Sequence, residues 1–171
     1  NLVDACLASG TRHLVYFGSA TAYGAHPDNP VPLTEEAPLR PNKGFQYAQD
    51  KAETDLMLRE AAALNPDLEV AILRGCVVLG PKGEGTIGGK VFQPVMLRIA
   101  GHDPLVQYLH EEDLVDAIVS QLERPAPGTY NLGGDGPLRY SQVIRLAKRP
   151  VIALPRPIIG SLIDATWALR L

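Results

Sequence analysis

Apolar residues along this chain occur either at helical spacing or in short unbroken runs. Residues 2–9 show helical spacing, and Gly10 stands where a helix commonly ends. Residues 13–17 form an apolar run that predicts a buried strand, and residues 24–41, rich in proline and polar residues, predict a loop. The first quarter of the chain therefore predicts a helix, a strand and a long connection.

The rest of the chain continues this alternation. Helical patterns cover residues 45–64, 91–100, 112–122, 141–147 and 158–171, whereas apolar runs typical of strands cover residues 68–73, 105–109, 129–132 and 151–154. We expect Pro94 to disturb or begin one helix and Ser141 to cap another. Strands that alternate with helices indicate an α/β fold with a parallel, doubly wound sheet, and the shorter late elements predict a small substrate-side lobe.

Composition narrows the class of protein. The 171 residues suffice for one domain, and 46% hydrophobic with 20% charged residues is typical of a soluble globular chain. The net charge of −3 and the mixing of both signs argue against a nucleic-acid partner. Because there is no signal peptide and no apolar run long enough to cross a bilayer, we expect a cytoplasmic protein with no membrane partner.

Cysteine usage and the chain ends add two expectations. Cys6 and Cys76 lie in apolar segments, which favours free, buried thiols, and no His, Cys or Asp cluster has the spacing of metal ligands. The first helical pattern begins without a cap, and the last one stops at Leu171 inside an apolar stretch. These ends predict a piece of a longer protein.

Tyr47, Lys51 and Ser19 are the residues that indicate chemistry. Tyr47 and Lys51 are four apart on a predicted helix and project from one face. A free tyrosine has a pKa of about 10, and an adjacent ammonium favours the phenolate. Ser19 follows a strand, and ligands gather at the carboxyl ends of parallel strands. Since a Tyr-x-x-x-Lys pair alone is commonly surface decoration, the prediction depends on the order of strand, residues 18–24, loop and helix.

Four segments in this order resemble those of the extended short-chain dehydrogenases/reductases, the NAD-dependent epimerase/dehydratase group. The segments are residues 19–24 (Ser-Ala-Thr-Ala-Tyr-Gly), 47–51 (Tyr-x-x-x-Lys), 74–81 (Arg-x-x-x-x-x-Gly-Pro) and 110–113 (His-x-x-Asp). The resemblance implies a Rossmann-like doubly wound sheet. Residues 1–80 would be the C-terminal part of the cofactor domain, with the Ser/Tyr/Lys site. Residues 81–171 would form a mixed substrate-side lobe with the remaining sheet elements.

The same resemblance implies roles for individual residues. Tyr47 would be the acid–base residue, Lys51 would bind the nicotinamide ribose, and Ser19 would bond the substrate hydroxyl or keto group. The residues implied to contact the cofactor are Gly18, Tyr47, Lys51, Gly75, Cys76, Val77 and Val78, and those implied to contact the substrate are Ser19, Ala20 and Thr21.

The implied reaction is hydride exchange between NAD or NADP and a secondary alcohol or ketone of a sugar-like substrate. The implied partners are a small molecule, such as a sugar, and either a second copy in a homo-oligomer such as a dimer or a missing N-terminal half. Within the enzyme class, a plain ketone reductase or a dehydratase stays open. A catalytically silent fragment also stays open, as a module that binds a substrate or partner chain without its own cofactor site.

Two segments depart from the family pattern. The glycine-rich turn expected after the family's first strand is absent, and residues 83–88 match G-x-G-x-x-G only in a loop context, so we interpret them as a substrate-side loop. Val106 stands where nucleotide-sugar members carry an arginine that grips diphosphate, which argues against a nucleotide-sugar substrate. His110 is predicted to be a structural hydrogen-bonding residue, and Trp167 to be either a core residue or part of an apolar patch exposed by truncation.

Overall fold

A computed structural model of the protein describes residues 2–81 and 93–161. Its helices are α1 (Leu2–Ser9), α2 (Gln46–Leu64), α3 (Glu111–Glu123) and α4 (Tyr140–Ala147), with a 3-10 turn at Ala20–Tyr23. Its strands are β1 (His13–Ser19), β2 (Glu69–Gly75), β3 (Val77–Leu79), β4 (Met96–Ile99), β5 (Leu105–Val106), β6 (Tyr108–His110), β7 (Gly128–Leu132), β8 (Leu138–Arg139) and β9 (Val151–Leu154). Residues 156–161 are also helical.

The central sheet has the order β1-β2-β7, and both of its pairings are parallel. β2 is buried along almost its whole length, as expected for a strand covered on both faces. On one face, Val70 and Ile72 pack with Val3 of α1 and Leu58 of α2. This arrangement confirms the predicted α/β fold with a parallel sheet.

Three further strand pairs lie beyond the central sheet. β3 pairs with β6 and β4 with β9 in parallel, whereas β5 pairs with β8 in the antiparallel direction. A second apolar cluster forms around Met96, Val143 and Ile144, with half-buried residues such as Val106 and Tyr108 packed against it. The late, short elements therefore have a core of their own.

The predicted helix over residues 91–100 is wrong in the described part, because residues 96–99 form strand β4. Its partner, β9, lies more than fifty residues later, and a pairing between such distant segments leaves no mark on the local spacing. The predicted strand 105–109 is divided at Gln107 into β5 and β6. Ser141 is not the N-cap of α4; Arg139 occupies that position, and Ser141 bonds Asp103 instead.

Some predictions lie outside the described residues. They concern residues 83–88, Trp167, most of the glycine-rich loop 80–90 and the last ten residues of the predicted C-terminal helix. Within residues 2–81 and 93–161, no helix combines the length and apolar content needed to cross a bilayer.

Candidate active site at the carboxyl edge of the sheet

The three strands of the central sheet end side by side. Ser19 of β1 pairs with Gly75 of β2, and Gly75 pairs with Leu132 of β7. We call this line of three residues the carboxyl edge. Because backbone groups beyond the last pairing are free to meet a ligand, this edge is where a parallel α/β sheet places its site. Two of the residues singled out from the sequence, Ser19 and Gly75, are therefore direct neighbours.

Helix α2 brings Tyr47 and Lys51 to the same region. The Nζ atom of Lys51 donates a hydrogen bond of 3.1 Å to the carbonyl oxygen of Phe17, two residues before the carboxyl edge. The same Nζ atom lies 5.7 Å from the ring centroid of Tyr47 and 5.1 Å from that of Tyr16. Lys51 thus connects the tyrosine to β1 and keeps further N–H donors for another partner.

Tyr47 itself is accessible. Its side chain is 47% exposed, and its ring lies 5.8 Å from that of Phe45 at a tilt of 36°. Its hydroxyl has no hydrogen-bond partner among residues 2–81 and 93–161. A phenol in this position can exchange a proton with a bound molecule without first breaking a bond to the protein.

Ser19 has a structural task as well as its place at the carboxyl edge. It is the N-cap of the 3-10 turn, and its Oγ atom accepts a bond of 3.2 Å from the backbone N–H of Thr21. Its Oγ atom also lies 2.9 Å from Oγ1 of Thr21, and either hydroxyl can be the donor. When Thr21 donates, the Ser19 hydrogen is left for a substrate oxygen.

The other predicted cofactor contacts, Gly18 and residues 75–78, follow or line the strand ends. A side chain at Gly75 would place its Cβ atom 2.6 Å from the Phe17 ring, so the ring would have to move to admit it. Cys76 is half-buried and free, and burial raises the pKa of its thiol, which keeps it uncharged. Val77 and Val78 belong to β3 and pair with Tyr108 and Leu109 of β6, next to the central sheet.

A buried ion pair joins β2 to α2, and no role was assigned to it from the sequence. Arg74 donates from Nε and Nη2 to the two carboxylate oxygens of Asp55, each at 2.8 Å, and both residues are 1% exposed. Burial lowers the pKa of Arg74, but the bonds to Asp55 and Tyr23 outweigh it, so the pKa is raised overall. Arg74 carries its charge in a nearly dry environment.

The network extends to the long loop. Nη1 of Arg74 donates to the Tyr23 hydroxyl at 2.6 Å and to the Glu35 carbonyl oxygen at 3.1 Å. The Tyr23 hydroxyl in turn donates to Oδ1 of Asn131 at 2.7 Å. The backbone N–H of Asn131 donates to the Glu35 carboxylate at 2.8 Å, and its amide to the Leu33 carbonyl at 3.1 Å. The loop is thereby held against β2 and β7.

Two signals in the sequence could have revealed this pair. Arg74 ends an apolar strand, and a charge buried there requires a partner. Asp55 continues the four-residue spacing of Tyr47 and Lys51 on α2, which places it on the same helix face.

On the substrate side, Val106 and the residue that follows it, Gln107, carry no charge. Val106 packs against the second apolar cluster, while the amide of the next residue, Gln107, donates to the Gly134 carbonyl at 2.7 Å. His110 is the N-cap of α3, where its Nδ1 accepts a bond of 3.3 Å from Glu112, which confirms the structural role predicted for it. No group of three potential metal ligands occurs among the described residues.

Comparison with protein families gives a match over most of the chain. The model of the NAD dependent epimerase/dehydratase family matches residues 1–133. An uncharacterized protein of Mycobacterium tuberculosis is 32% identical over 162 residues, which cover 95% of this chain and 41% of that protein. A 3-diazoavenalumate denitrifying reductase of a Streptomyces species is 30% identical over 149 residues, 83% of this chain and 47% of the reductase. The chain spans less than half the length of these two relatives.

Solved structures show the same fold. The dTDP-glucose 4,6-dehydratase of Bacillus anthracis, in complex with NAD, superimposes with a TM-score of 0.73 at 22% identity, over 90% of this chain and 53% of that one. The UDP-glucose 4-epimerase of Thermus thermophilus, also in complex with NAD, gives a TM-score of 0.72 at 23% identity, over 91% and 56%. This likeness confirms the predicted Rossmann-like fold class.

Proposed function

The chain belongs to the NAD dependent epimerase/dehydratase family, and on that premise we propose that it carries the proton-transfer site of an NAD(P)-dependent oxidoreductase. The substrate we propose is a secondary alcohol or ketone of a sugar-like molecule. The observation that supports this most directly is the position of Lys51, which lies beside the Tyr47 ring and bonds β1 two residues before the carboxyl edge.

In the proposed reaction, Tyr47 takes the hydroxyl proton of the substrate as the alcohol becomes a ketone, and it returns the proton in the reverse direction. The hydride at the substrate carbon would go to, or come from, a nicotinamide held at this site. Ser19 donates to the substrate oxygen and holds it near Tyr47. Lys51 would use its remaining donors on the ribose hydroxyls.

The remaining contacts are proposed from the same arrangement. Gly18, Gly75, Cys76, Val77 and Val78 would line the nicotinamide, together with Tyr47 and Lys51, and Ala20 and Thr21 would join Ser19 at the substrate. The neutral thiol of Cys76 adds no charge at this place. Residues 1–80 would supply the cofactor side and residues 81–171 the substrate side and remaining sheet elements.

NAD in the two solved neighbours supports a nicotinamide dinucleotide here, in either the NAD or the NADP form. We further propose a cytoplasmic homo-oligomer, such as a dimer, for the natural protein.

The substrate is proposed to lack a diphosphate gripped at residue 106. Val106 packs against the second apolar cluster and has no positive charge. The next residue, Gln107, has a neutral amide. An uncharged sugar or a related hydroxy ketone needs no arginine at this place. A nucleotide sugar would require its phosphates to be held elsewhere.

A second candidate is a catalytically silent module, favoured by the small share of each relative that the chain spans. Measurements of cofactor binding and of turnover distinguish the two candidates. We would titrate NAD and NADP into this chain alone and into the natural protein that contains it, and then supply UDP-glucose, dTDP-glucose and free glucose as probe substrates. Absorbance of the reduced nicotinamide and chromatography of the sugars report turnover.

Micromolar binding by the chain alone would reject the silent module. Binding and turnover only in the natural protein would support an enzyme whose cofactor site is completed by another segment. If the natural protein neither binds a dinucleotide nor converts any probe, the proposed oxidoreductase function is wrong.

A further inference from the structure

The Arg74–Asp55 pair lies on the same helix as the proposed acid–base residue. Asp55 follows Lys51 by four residues and Tyr47 by eight, so the three side chains project from one face of α2. Tyr47 is at the open end of this row, and Asp55 at its buried end. Lys51 and Asp55 are the two points where this face of α2 is bonded to the central sheet.

The two hydrogen bonds of the pair fix the relative orientation of Arg74 and Asp55 as well as their separation. Arg74 meets both oxygens of Asp55 with two parallel bonds of 2.8 Å, and this bidentate form restricts rotation of either side chain. Arg74 also directly precedes Gly75, which pairs with Ser19 at the carboxyl edge. The guanidinium of Arg74 therefore fixes the position of α2 relative to the ends of β1 and β2.

Stability alone does not account for such a pair. A buried ion pair costs much desolvation, and well-packed apolar residues of similar size are often as stabilising or more so. A bidentate pair instead allows only one arrangement of the two side chains, and so of α2 against β2. The bond from Lys51 to the Phe17 carbonyl, at 3.1 Å, is already near the long end of the hydrogen-bond range and tolerates little movement of α2.

Building on the proposed role of Tyr47, we propose that Arg74 and Asp55 are positioning residues of the reaction. They hold α2 against β2 so that Lys51 reaches the Phe17 carbonyl and lies beside the Tyr47 ring. They touch neither substrate nor cofactor and act through the placement of the helix. Arg74 also bonds Tyr23, the last residue of the 3-10 turn that packs on α2, so this branch supports the same placement of the helix.

The test compares Asp55→Asn with the matched control Asp28→Asn in the natural protein. Asp28 forms an exposed pair with Arg40 at 2.9 Å, outside the site. Both variants are labelled with 3-fluorotyrosine, and the fluorine resonance of Tyr47 is assigned by its loss in Tyr47→Phe. This resonance reports the surroundings of Tyr47 without any substrate.

We expect Asp55→Asn to move the Tyr47 resonance, to lower kcat by about a hundredfold, the loss that a displacement of about 1 Å can cause, and to raise the Kd for NAD, because Lys51 moves with the helix. Asp28→Asn should change none of these. Turnover is measured with whichever of the three sugar probes the natural protein converts.

A folded Asp55→Asn protein with the native Tyr47 resonance and native kcat would overturn the positioning role. If Asp55→Asn does not fold, Arg74→Lys replaces it, since lysine keeps the charge but cannot form the bidentate pair; a native resonance and kcat there would overturn the role equally. Turnover that survives Tyr47→Phe would instead overturn the proposed function. The fluorine measurement would still decide whether the pair places α2.

Discussion

Ser19 and Gly75 are register partners in the parallel pairing of β1 and β2, and each is the last residue of its strand. Their neighbours complete the region, because Lys51 bonds the Phe17 carbonyl on one side and Arg74 holds Asp55 on the other. One strand pair and one helix thus bring together residues that are up to 58 positions apart along the chain, from Phe17 to Gly75.

Replacement of Tyr47 by phenylalanine should abolish most turnover while the protein stays folded. The Tyr47 hydroxyl bonds no described residue, so its removal breaks no structural contact, whereas loss of a general acid–base group costs about 10² to 10⁴-fold in rate. Initial rates and NAD titrations on the natural protein measure the two effects separately.

Tyr130→Phe is the matched control for that variant. Its hydroxyl donates only to the Ala126 carbonyl at 3.2 Å, away from the site, so rates should stay at the native level. Native turnover in Tyr47→Phe would contradict the acid–base assignment.

Gly75→Ala should disturb the carboxyl edge. The added Cβ atom would lie 2.6 Å from Cε2 and 2.9 Å from Cζ of Phe17, so the ring must move, and overpacking of this kind costs about 1–3 kcal/mol. Urea unfolding measures the loss. Gly160→Ala, whose Cβ would meet nothing within 4 Å on a helical residue, should be at least as stable as the native protein, and a Gly75→Ala protein as stable as the native one would refute the close contact.

The attachment of α4 should weaken in acid. Asp103 accepts bonds of 2.8 Å from the backbone N–H and from the hydroxyl of Ser141, and these bonds hold the pKa of Asp103 below its ordinary value. A lowered folded-state pKa means that the stabilisation is present above the unfolded-state pKa, about 3.9, and is lost as the pH falls through the folded value.

Urea unfolding of the native protein and of Asp103→Asn, at neutral pH and at about pH 3, tests this dependence. The difference in unfolding free energy between the two proteins should shrink in acid. Asp67→Asn, an exposed aspartate with no bond to a described residue, should show no such difference. A constant difference for Asp103→Asn across both pH values would contradict the prediction.

Arg74→Met alone should be strongly destabilising, by about 3–5 kcal/mol, because it leaves the Asp55 carboxylate buried without a partner. The double variant Arg74→Met with Asp55→Leu should recover much of that loss, since it removes both charges. Thermal and urea unfolding give the comparison. A double variant less stable than Arg74→Met would show that the remaining contacts of the network, through Tyr23 and Glu35, dominate.

The sequence predicts the long elements of this fold because the long helix is rich in strong helix formers and the long strand is an unbroken apolar run. The helix at residues 46–64 and the strand at residues 69–75 are examples, and their boundaries differ from the predicted ones by one or two residues. The strand at residues 96–99 was not predicted, because four residues have too little period and the partner that completes them is remote in sequence.

The same limit applies to the candidate site. The pair at Tyr47 and Lys51 is visible because both residues lie on one helix, four positions apart. The link between Asp55 and Arg74 joins a helix to a strand, and it depends on how these elements pack. The packing of Val106 against the second apolar cluster likewise requires the tertiary structure, although the residue type alone indicates that it binds no phosphate.

Gln107, the single residue between β5 and β6, limits where the chain can accept insertions and deletions. Val106 and Tyr108 face the second apolar cluster, while Leu109 faces Gly75. Because side chains alternate along a strand, one residue inserted at Gln107 would turn Tyr108 and Leu109 to the opposite faces. Residues 124–127 are all exposed, so an added residue there disturbs neither core. Insertions and deletions should be tolerated at that connection and rejected at Gln107.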